Sequence, residues 1–149
     1  MESSEPARVL VVAHRTAATP QLLGAVAERA ETGPARFTLL VPLAPHGLHR
    51  LVDPEDTDDG EAQMVLELAL PLLEEAAGAS VEGKIGDHNP YDAIHDAMNV
   101  DGYDEIIIST LPAPVSRWLR NDLPSKLKPL GVPITTITAK GAGARVARS

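Results

Sequence analysis

Short apolar segments alternate with amphipathic segments along most of this chain. Five of the apolar segments are rich in β-branched residues, as expected for strands of a sheet covered by helices on both faces. They span residues 8–12, 37–41, 80–85, 104–110 and 132–138. Helical periodicity appears between them at 20–31, 61–77 and 90–99, and a further helix is expected to begin near 122–124. This alternation predicts an α/β domain over residues 1–140, with a parallel sheet and right-handed crossovers.

Individual segments carry more detailed expectations. Segment 80–85 alternates and contains Gly83, which predicts an edge strand, whereas the unbroken apolar run at 104–110 predicts a central one. Thr19-Pro20 and Asn89-Pro90 are typical helix starts, with a capping side chain followed by proline.

The segment at 61–77 is apolar on two sides of its predicted helix. Such a helix is either buried on both sides or forms an interface. Pro71 is expected to bend it. One side carries Met64, Leu68 and Leu72, and the other carries Leu66, Leu70 and Leu73.

Composition narrows the range of functions. The chain has 149 residues, a formal net charge of −8 and no cysteine, which excludes disulfide scaffolds, cysteine nucleophiles and thiolate metal sites. The acidic charge and the four aromatic residues of Trp, Tyr and Phe type disfavour nucleic-acid binding. With no membrane span or signal peptide evident, we expect a cytoplasmic protein, and we expect residues 141–149 to form a disordered basic tail.

The order of these elements, together with several short motifs, resembles the universal stress protein family. The resemblance rests on the strand VLVV at 9–12, TLL at 38–40, Gly86-Asp87 before a proline-led helix, GYDEIII at 102–108 and GVPI at 131–134. It implies a three-layer α/β/α sandwich of the adenine nucleotide alpha hydrolase type, with a five-stranded parallel sheet ordered 3-2-1-4-5. It also implies homodimerisation through the last strand and, in one subset of the family, an ATP site between strands 1 and 4.

The nucleotide motif of that subset is not present. Its pattern after strand 4 is G-x2-G-x9-G-[ST], but residues 109–122 contain no glycine. Pro112 and Pro114 remove backbone donors, and Asn121-Asp122 places a carboxylate close to where the Gly-Ser pair would begin a helix. The aspartate that usually follows the first strand is replaced by Ala13-His14. We therefore expect no standard ATP site, and no cofactor beyond an ATP or AMP bound in some other way.

Ligands of such sheets bind beyond the carboxyl ends of the strands, where the strand order reverses. The candidate residues in the corresponding loops are His14, Ser109, Thr110, Ser116, Arg117 and Arg120. His14 either contacts a ligand, acts as a base or bonds a neighbouring carbonyl, and the two hydroxyls at 109–110 either bind a sugar or phosphate or satisfy loop amides. The serine and two arginines either bind a small anion or place an arginine against Asp122. Trp118 is expected to anchor this loop in the core.

Metal binding is not expected. His46 and His49 have a spacing that suits a metal on one helical face, but their proline-rich acidic surroundings favour a solvated loop. His88 and His95 are interpreted in the same way, as surface residues.

Three hypotheses of function follow. The first is a non-enzymatic regulatory or ligand-sensing module similar to universal stress proteins, without standard ATP binding. The second is a nucleotide-binding or phosphate-ligand-binding protein with a glycine-free site loop. The third is a small hydrolase with His14 as its base, for which the sequence offers no evident nucleophile or metal set.

Overall fold

A computed structural model of the chain describes residues 6–14, 16–43, 58–87, 89–112, 117–120 and 122–139. Within them, five strands form one sheet in the order β3-β2-β1-β4-β5, and every neighbouring pair is parallel. The predicted strand order is therefore confirmed. The strands are β1 (Ala7–Val12), β2 (Ala35–Pro42), β3 (Val81–Gly86), β4 (Glu105–Thr110) and β5 (Ile134–Thr138).

Helices cover both faces of this sheet, as predicted. The first two helices pack on one face and contribute to one buried cluster, while the third and fifth contribute to a second cluster on the other face. The helices are α1 (Pro20–Thr32), α2 (Asp58–Ala77), α3 (Pro90–Val100), α4 (Arg117–Arg120) and α5 (Leu123–Lys126), and a 3-10 turn follows at Lys128–Leu130.

The capping residues act as their types predict. The Thr19 hydroxyl accepts from the backbone N–H of Leu22 at 3.4 Å. Asn89 Oδ1 accepts from the N–H groups of Tyr91 and Asp92 at 2.9 and 3.3 Å. These bonds satisfy donors that the first helical turn leaves without a partner, so α1 and α3 begin where the sequence indicated.

Burial on both faces explains the continuous apolar pattern of β1. Val9 and Val11 pack under α1 and α2, whereas Leu10 and Val12 face α3 and α5, and all four are at most 1% exposed. Segment 104–110 forms β4, an interior strand in contrast to the edge strand β3, although the middle of the sheet is β1 and β4 lies between β1 and β5. Both strands are interior, so both show the same pattern.

The edge strand β3 depends on two glycines. A Cβ atom at Gly83 would lie 2.8 Å from Leu66 Cδ2 of α2, and one at Gly86 would lie 2.7 Å from Ala93 Cβ of α3. Since real Cβ atoms do not approach that closely, glycine allows α2 and α3 to pack onto this strand from opposite faces.

Several predicted features lie outside the described residues. They include the histidine pair His46 and His49, His88 and the basic tail at 141–149. No helix in the described part of the chain is long and apolar enough to cross a bilayer.

Candidate functional site

The strand order reverses direction between β1 and β4. From β1 the chain continues to β2 and β3 on one side, and β4 and β5 occupy the other side. The register aligns Val12 of β1 with Ile108 of β4, so His14 and the pair Ser109-Thr110 follow at the same carboxyl end of the sheet. A crevice at such a reversal is the usual ligand position in open α/β sheets.

Two buried hydroxyls form a hydrogen bond at this end of the sheet. Thr16 Oγ1 and Ser109 Oγ lie 2.6 Å apart, and either hydroxyl can be the donor. The two residues are 3% and 1% exposed. The loop that carries Thr16 is itself held by backbone bonds from Ala17 N to His14 O and from Thr19 N to Thr16 O, both 3.2 Å. Thus the loop after β1 is fastened to the end of β4.

Thr110 is the most unusual polar group at this end of the sheet. It is 3% exposed, and its Oγ1 has no hydrogen-bond partner among the described residues. Its backbone is satisfied, because Ala139 N donates to Thr110 O at 2.8 Å. A buried hydroxyl without a partner costs about 1–3 kcal/mol, so its presence requires an explanation.

The strand alternation shows which way Thr110 points. Ile106 and Ile108 of β4 belong to the cluster under α3 and α5, whereas Ile107 belongs to the other cluster. Side chains two residues apart share a face, so the Thr110 hydroxyl points to the α3 and α5 layer. Ser109 points to the opposite face, where it meets Thr16.

The remaining predicted site residues are placed less fully. His14 is a partly buried residue in the bend directly after β1. Arg117 and Arg120 begin and end α4, on the segment that leaves β4, but their side chains and all of Ser116 lie outside what the structure describes. Both the anion site and the pairing of an arginine with Asp122 therefore remain predictions.

The segment after β4 ends at a residue with left-handed backbone. Asp122 is the N-cap of α5 with φ of 58°, its side chain makes no capping bond, and its carboxylate is exposed. The predicted position of a carboxylate at a helix start is confirmed. Trp118 is partly buried and packs against the cluster that contains Leu123 and Leu127, so its predicted anchoring role is also confirmed.

Thr16 is the crevice residue that sequence reasoning missed. The sequence indicates His14 as the candidate residue on this loop and gives no local reason to choose Thr16. The available signal was a hydroxyl on the first loop at the reversal point, opposite the hydroxyls that end β4.

No group of three or more histidine or acidic side chains in the described ranges has the arrangement of a metal site. An open cavity of about 500 Å³ lies elsewhere, between the ends of β2 and β3 and the helix α3. Its lining includes Leu40, Gly86 and Val100 but none of the six predicted site residues.

The shifted ionisable groups also lie away from the crevice. A hydrogen bond from Lys84 lowers the pKa of Asp101, and the same bond raises the pKa of Lys84. Burial raises the pKa of Tyr103, whose hydroxyl is 3.3 Å from Asp101 Oδ2. Asp101 and Tyr103 precede β4, at the amino end of the sheet, so this cluster does not belong to the candidate site.

Comparison with solved structures identifies the fold. A universal stress protein from Archaeoglobus fulgidus is 18% identical, with a TM-score of 0.63 over 88% of this chain and 93% of that chain. A universal stress protein family protein from Arabidopsis thaliana with AMP bound is 16% identical, with a TM-score of 0.63 over 94% and 96%. A universal stress protein in complex with cAMP is 12% identical, with a TM-score of 0.60 over 93% and 100%.

Sequence comparison alone finds no such relationship, since no protein-family model and no curated protein matches the chain. The structural matches cover nearly the whole length on both sides, and the strand order is the one that the sequence resemblance implied. This chain therefore has the universal stress protein fold.

Proposed function

We propose that this protein is a non-enzymatic regulatory module of the universal stress type, acting in the cytoplasm, that senses a small polar ligand at the ends of β1 and β4. The observation that carries the proposal is the buried Thr110 hydroxyl, which has no partner among the described residues. A ligand oxygen or nitrogen in the crevice would complete its hydrogen bonding and remove the cost of burying it.

The arrangement of hydroxyls supports binding over catalysis. A serine nucleophile requires a neighbouring base to take its proton. Ser109 Oγ is instead hydrogen-bonded to another hydroxyl, that of Thr16, which is too weak a base for that role. This pair holds the loop after β1 against β4, whereas the Thr110 hydroxyl, which has no partner within the described ranges, would be the group that bonds a ligand.

The loop after β4 disfavours Mg-ATP. Residues 109–122 offer no glycine whose backbone could wrap a triphosphate, and Pro112 lacks an amide donor. The Asp122 carboxylate, which makes no capping hydrogen bond at the start of α5, adds negative charge to this segment. A triphosphate would meet this charge with few backbone donors to offset it.

A nucleoside monophosphate or another phosphate ligand is the second candidate. The fold neighbours in which AMP or cAMP is bound favour it. Such ligands also need fewer hydrogen-bond donors to their phosphate than ATP does. In this case the hydroxyls would contact the sugar or phosphate, and the arginines of α4 would balance its charge. The binding residues would be His14, Ser109, Thr110, Ser116, Arg117 and Arg120.

Native mass spectrometry of freshly purified protein tests the sensing role, because it detects a small molecule retained by the folded chain. Calorimetric titration of the dialysed protein with AMP, cAMP and Mg-ATP then ranks the nucleotides. We expect a dissociation constant above roughly 10 μM for Mg-ATP, equivalent to about −6.8 kcal/mol. Tighter binding of Mg-ATP would contradict the proposal.

The arginines of α4 are tested separately. If they bind an anion, Arg117→Ala with Arg120→Ala should abolish thermal stabilisation by inorganic phosphate and leave the stability without phosphate nearly unchanged. Unchanged stabilisation by phosphate would exclude them as the anion site. A large loss of intrinsic stability would instead support their pairing with Asp122.

A further inference from the structure

The outward face of α2 carries a row of exposed apolar side chains. Met64, Leu68 and Leu72 are 60%, 67% and 41% exposed. Their four-residue spacing places them one above another along the helix, and we call these three residues the α2 row. Single exposed apolar residues are ordinary on a protein surface, but an aligned set is typical of a contact surface.

The fold itself does not require the α2 row. The opposite side of α2 supplies the core with its own apolar set, which packs over β2 and β3 and beside α1. That set consists of Ala62, Leu66, Ala69 and Leu73, each at most 6% exposed. The side predicted to carry Leu66, Leu70 and Leu73 therefore faces the core, with Leu70 partly buried, whereas the side with the α2 row is exposed.

Acidic residues bound the α2 row at both ends. Glu61 lies three residues before Met64 and Glu75 lies three residues after Leu72, so both fall on the same outward face. Both are exposed, as is Glu67 beside the row. The whole of α2 contains no lysine, arginine or histidine. The surface is therefore an apolar row with acidic side chains at both ends and beside it.

This charge pattern disfavours pairing of α2 with the same helix of a second copy of the chain. In an antiparallel pairing centred on Leu68, Glu61 of each copy would lie beside Glu75 of the other. In a parallel pairing each glutamate would meet its own equivalent. Like charges are brought together in both arrangements, and nothing basic on α2 compensates.

We propose that the α2 row binds a basic amphipathic helix of another protein. The partner would present an apolar stripe with the same spacing, and a lysine or arginine near each end to meet Glu61 and Glu75. The distance along α2 between those glutamates is about 21 Å at 1.5 Å per residue, so roughly four turns of partner helix suffice. The proposal is independent of any ligand in the crevice.

A synthetic peptide provides the test on the full-length chain. The probe is a fluorescein-labelled helix of roughly 15 residues, with leucines at the spacing of the α2 row and a lysine three residues beyond each end. Fluorescence anisotropy at low salt should show saturable binding. A matched peptide with glutamate in place of both lysines should not bind.

Variants of the chain separate the apolar and charged contributions. Leu68→Gln should weaken binding at least about tenfold, whereas Val100→Gln, at a residue of α3 that is 74% exposed, should leave it unchanged. Glu61→Gln with Glu75→Gln should weaken binding and reduce its salt dependence. The control for that pair is Glu28→Gln with Glu31→Gln on the exposed part of α1.

Four results would overturn the proposal. The first is the absence of binding by the unmodified chain at low salt. The second is equal binding by Leu68→Gln, which would mean that charge alone attracts the peptide. The third is a dimer in light scattering that Leu68→Gln dissociates, because a second copy would then cover the row. The fourth is a marked loss of thermal stability in Leu68→Gln, which would mean that the chain itself covers it.

Discussion

The hydroxyls of Thr16 and Ser109 meet at 2.6 Å and join the loop after β1 to the end of β4. Both are buried, and within the described part of the chain each hydroxyl has the other as its hydrogen-bond partner. This contact fixes the position of the loop that carries His14 and leads into α1. It therefore helps to shape one wall of the candidate crevice.

We expect a double-mutant cycle on this pair to show strong coupling. Ser109→Ala leaves the Thr16 hydroxyl buried without a partner and should cost about 1–3 kcal/mol of unfolding free energy. Thr16→Val should cost a similar amount. The double variant removes both polar groups, so its cost should be well below the sum of the two. Urea denaturation measures all three, and additive costs would show that the bond contributes little.

Thr110→Val should have the opposite effect on stability. The valine keeps the shape of the side chain and removes a buried hydroxyl that has no partner in the described structure, so the unfolding free energy should rise by up to about 1–3 kcal/mol. Thr138→Val is the matched control, because Thr138 is exposed beside Thr110 in the register of β4 and β5. The same Thr110 variant should lose any thermal stabilisation that AMP confers on the unmodified chain. A destabilised variant would indicate that the hydroxyl has a partner within the protein.

The contrast between Ser109 and Thr110 shows how far the sequence could predict the site. Both were candidate ligand contacts because hydroxyls at strand ends serve ligands and loops equally well. Their alternation sends them to opposite faces, and only the path of the loop after β1 decides that Ser109 meets Thr16. That path depends on tertiary packing, which no local pattern reports.

The helix starts also differ in how well the sequence predicts them. Thr19 and Asn89 cap α1 and α3 where the sequence indicated, because capping is a local interaction. The helix α2 begins at Asp58, three residues before the predicted start at 61. Its acidic first turn has the composition of a loop, although the helix dipole favours acidic residues at that position. The order of the strands came from family resemblance, because many orders are compatible with the same alternation of elements.

The ion pair between Lys84 and Asp101 should make stability depend on pH. Their side chains lie 2.5 Å apart, and the bond from Lys84 holds the pKa of Asp101 below its ordinary 3.8. A carboxyl whose pKa is lower in the folded state stabilises the fold at any pH above its pKa in the unfolded state. That contribution is lost as the pH falls through its pKa in the folded state. The pKa of Lys84 is raised above 10.5, so its contribution is lost only as the pH rises beyond that value.

Asp101→Asn is therefore expected to lower the unfolding free energy by a constant amount between about pH 5 and pH 9. The difference from the unmodified chain should shrink as the pH falls below 3.8. Asp96→Asn, on the exposed side of α3, is the control for loss of a charge in the same region. A difference that persists unchanged into acid would show that the ion pair does not stabilise the fold.

The last strand is expected to mediate a homodimer. β5 lies at the edge of the sheet, and an uncovered edge of β-branched residues tends to pair with another strand. The hydrogen bonds show which residues face that edge. Pro133 O accepts from Ile106 N, and Ala139 N donates to Thr110 O. Odd-numbered residues of this segment therefore direct their backbone groups to β4, and Thr136 directs its own to the outside.

Thr136→Pro should consequently remove an outward donor without removing a bond to β4, so the variant should keep its circular dichroism and lose the dimer. Thr135→Pro, which removes an inward donor, should instead unfold or detach β5 and so confirm the assignment of the two edges. Leu68→Gln on α2 tests the competing helix interface and should leave an edge-strand dimer intact. Multi-angle light scattering measures the mass of each variant. A monomeric unmodified chain would show that β5 does not form a dimer. A dimer that survives Thr136→Pro with the fold intact would show that the interface lies elsewhere, because two edge strands must exchange their outward N–H and C=O groups to pair.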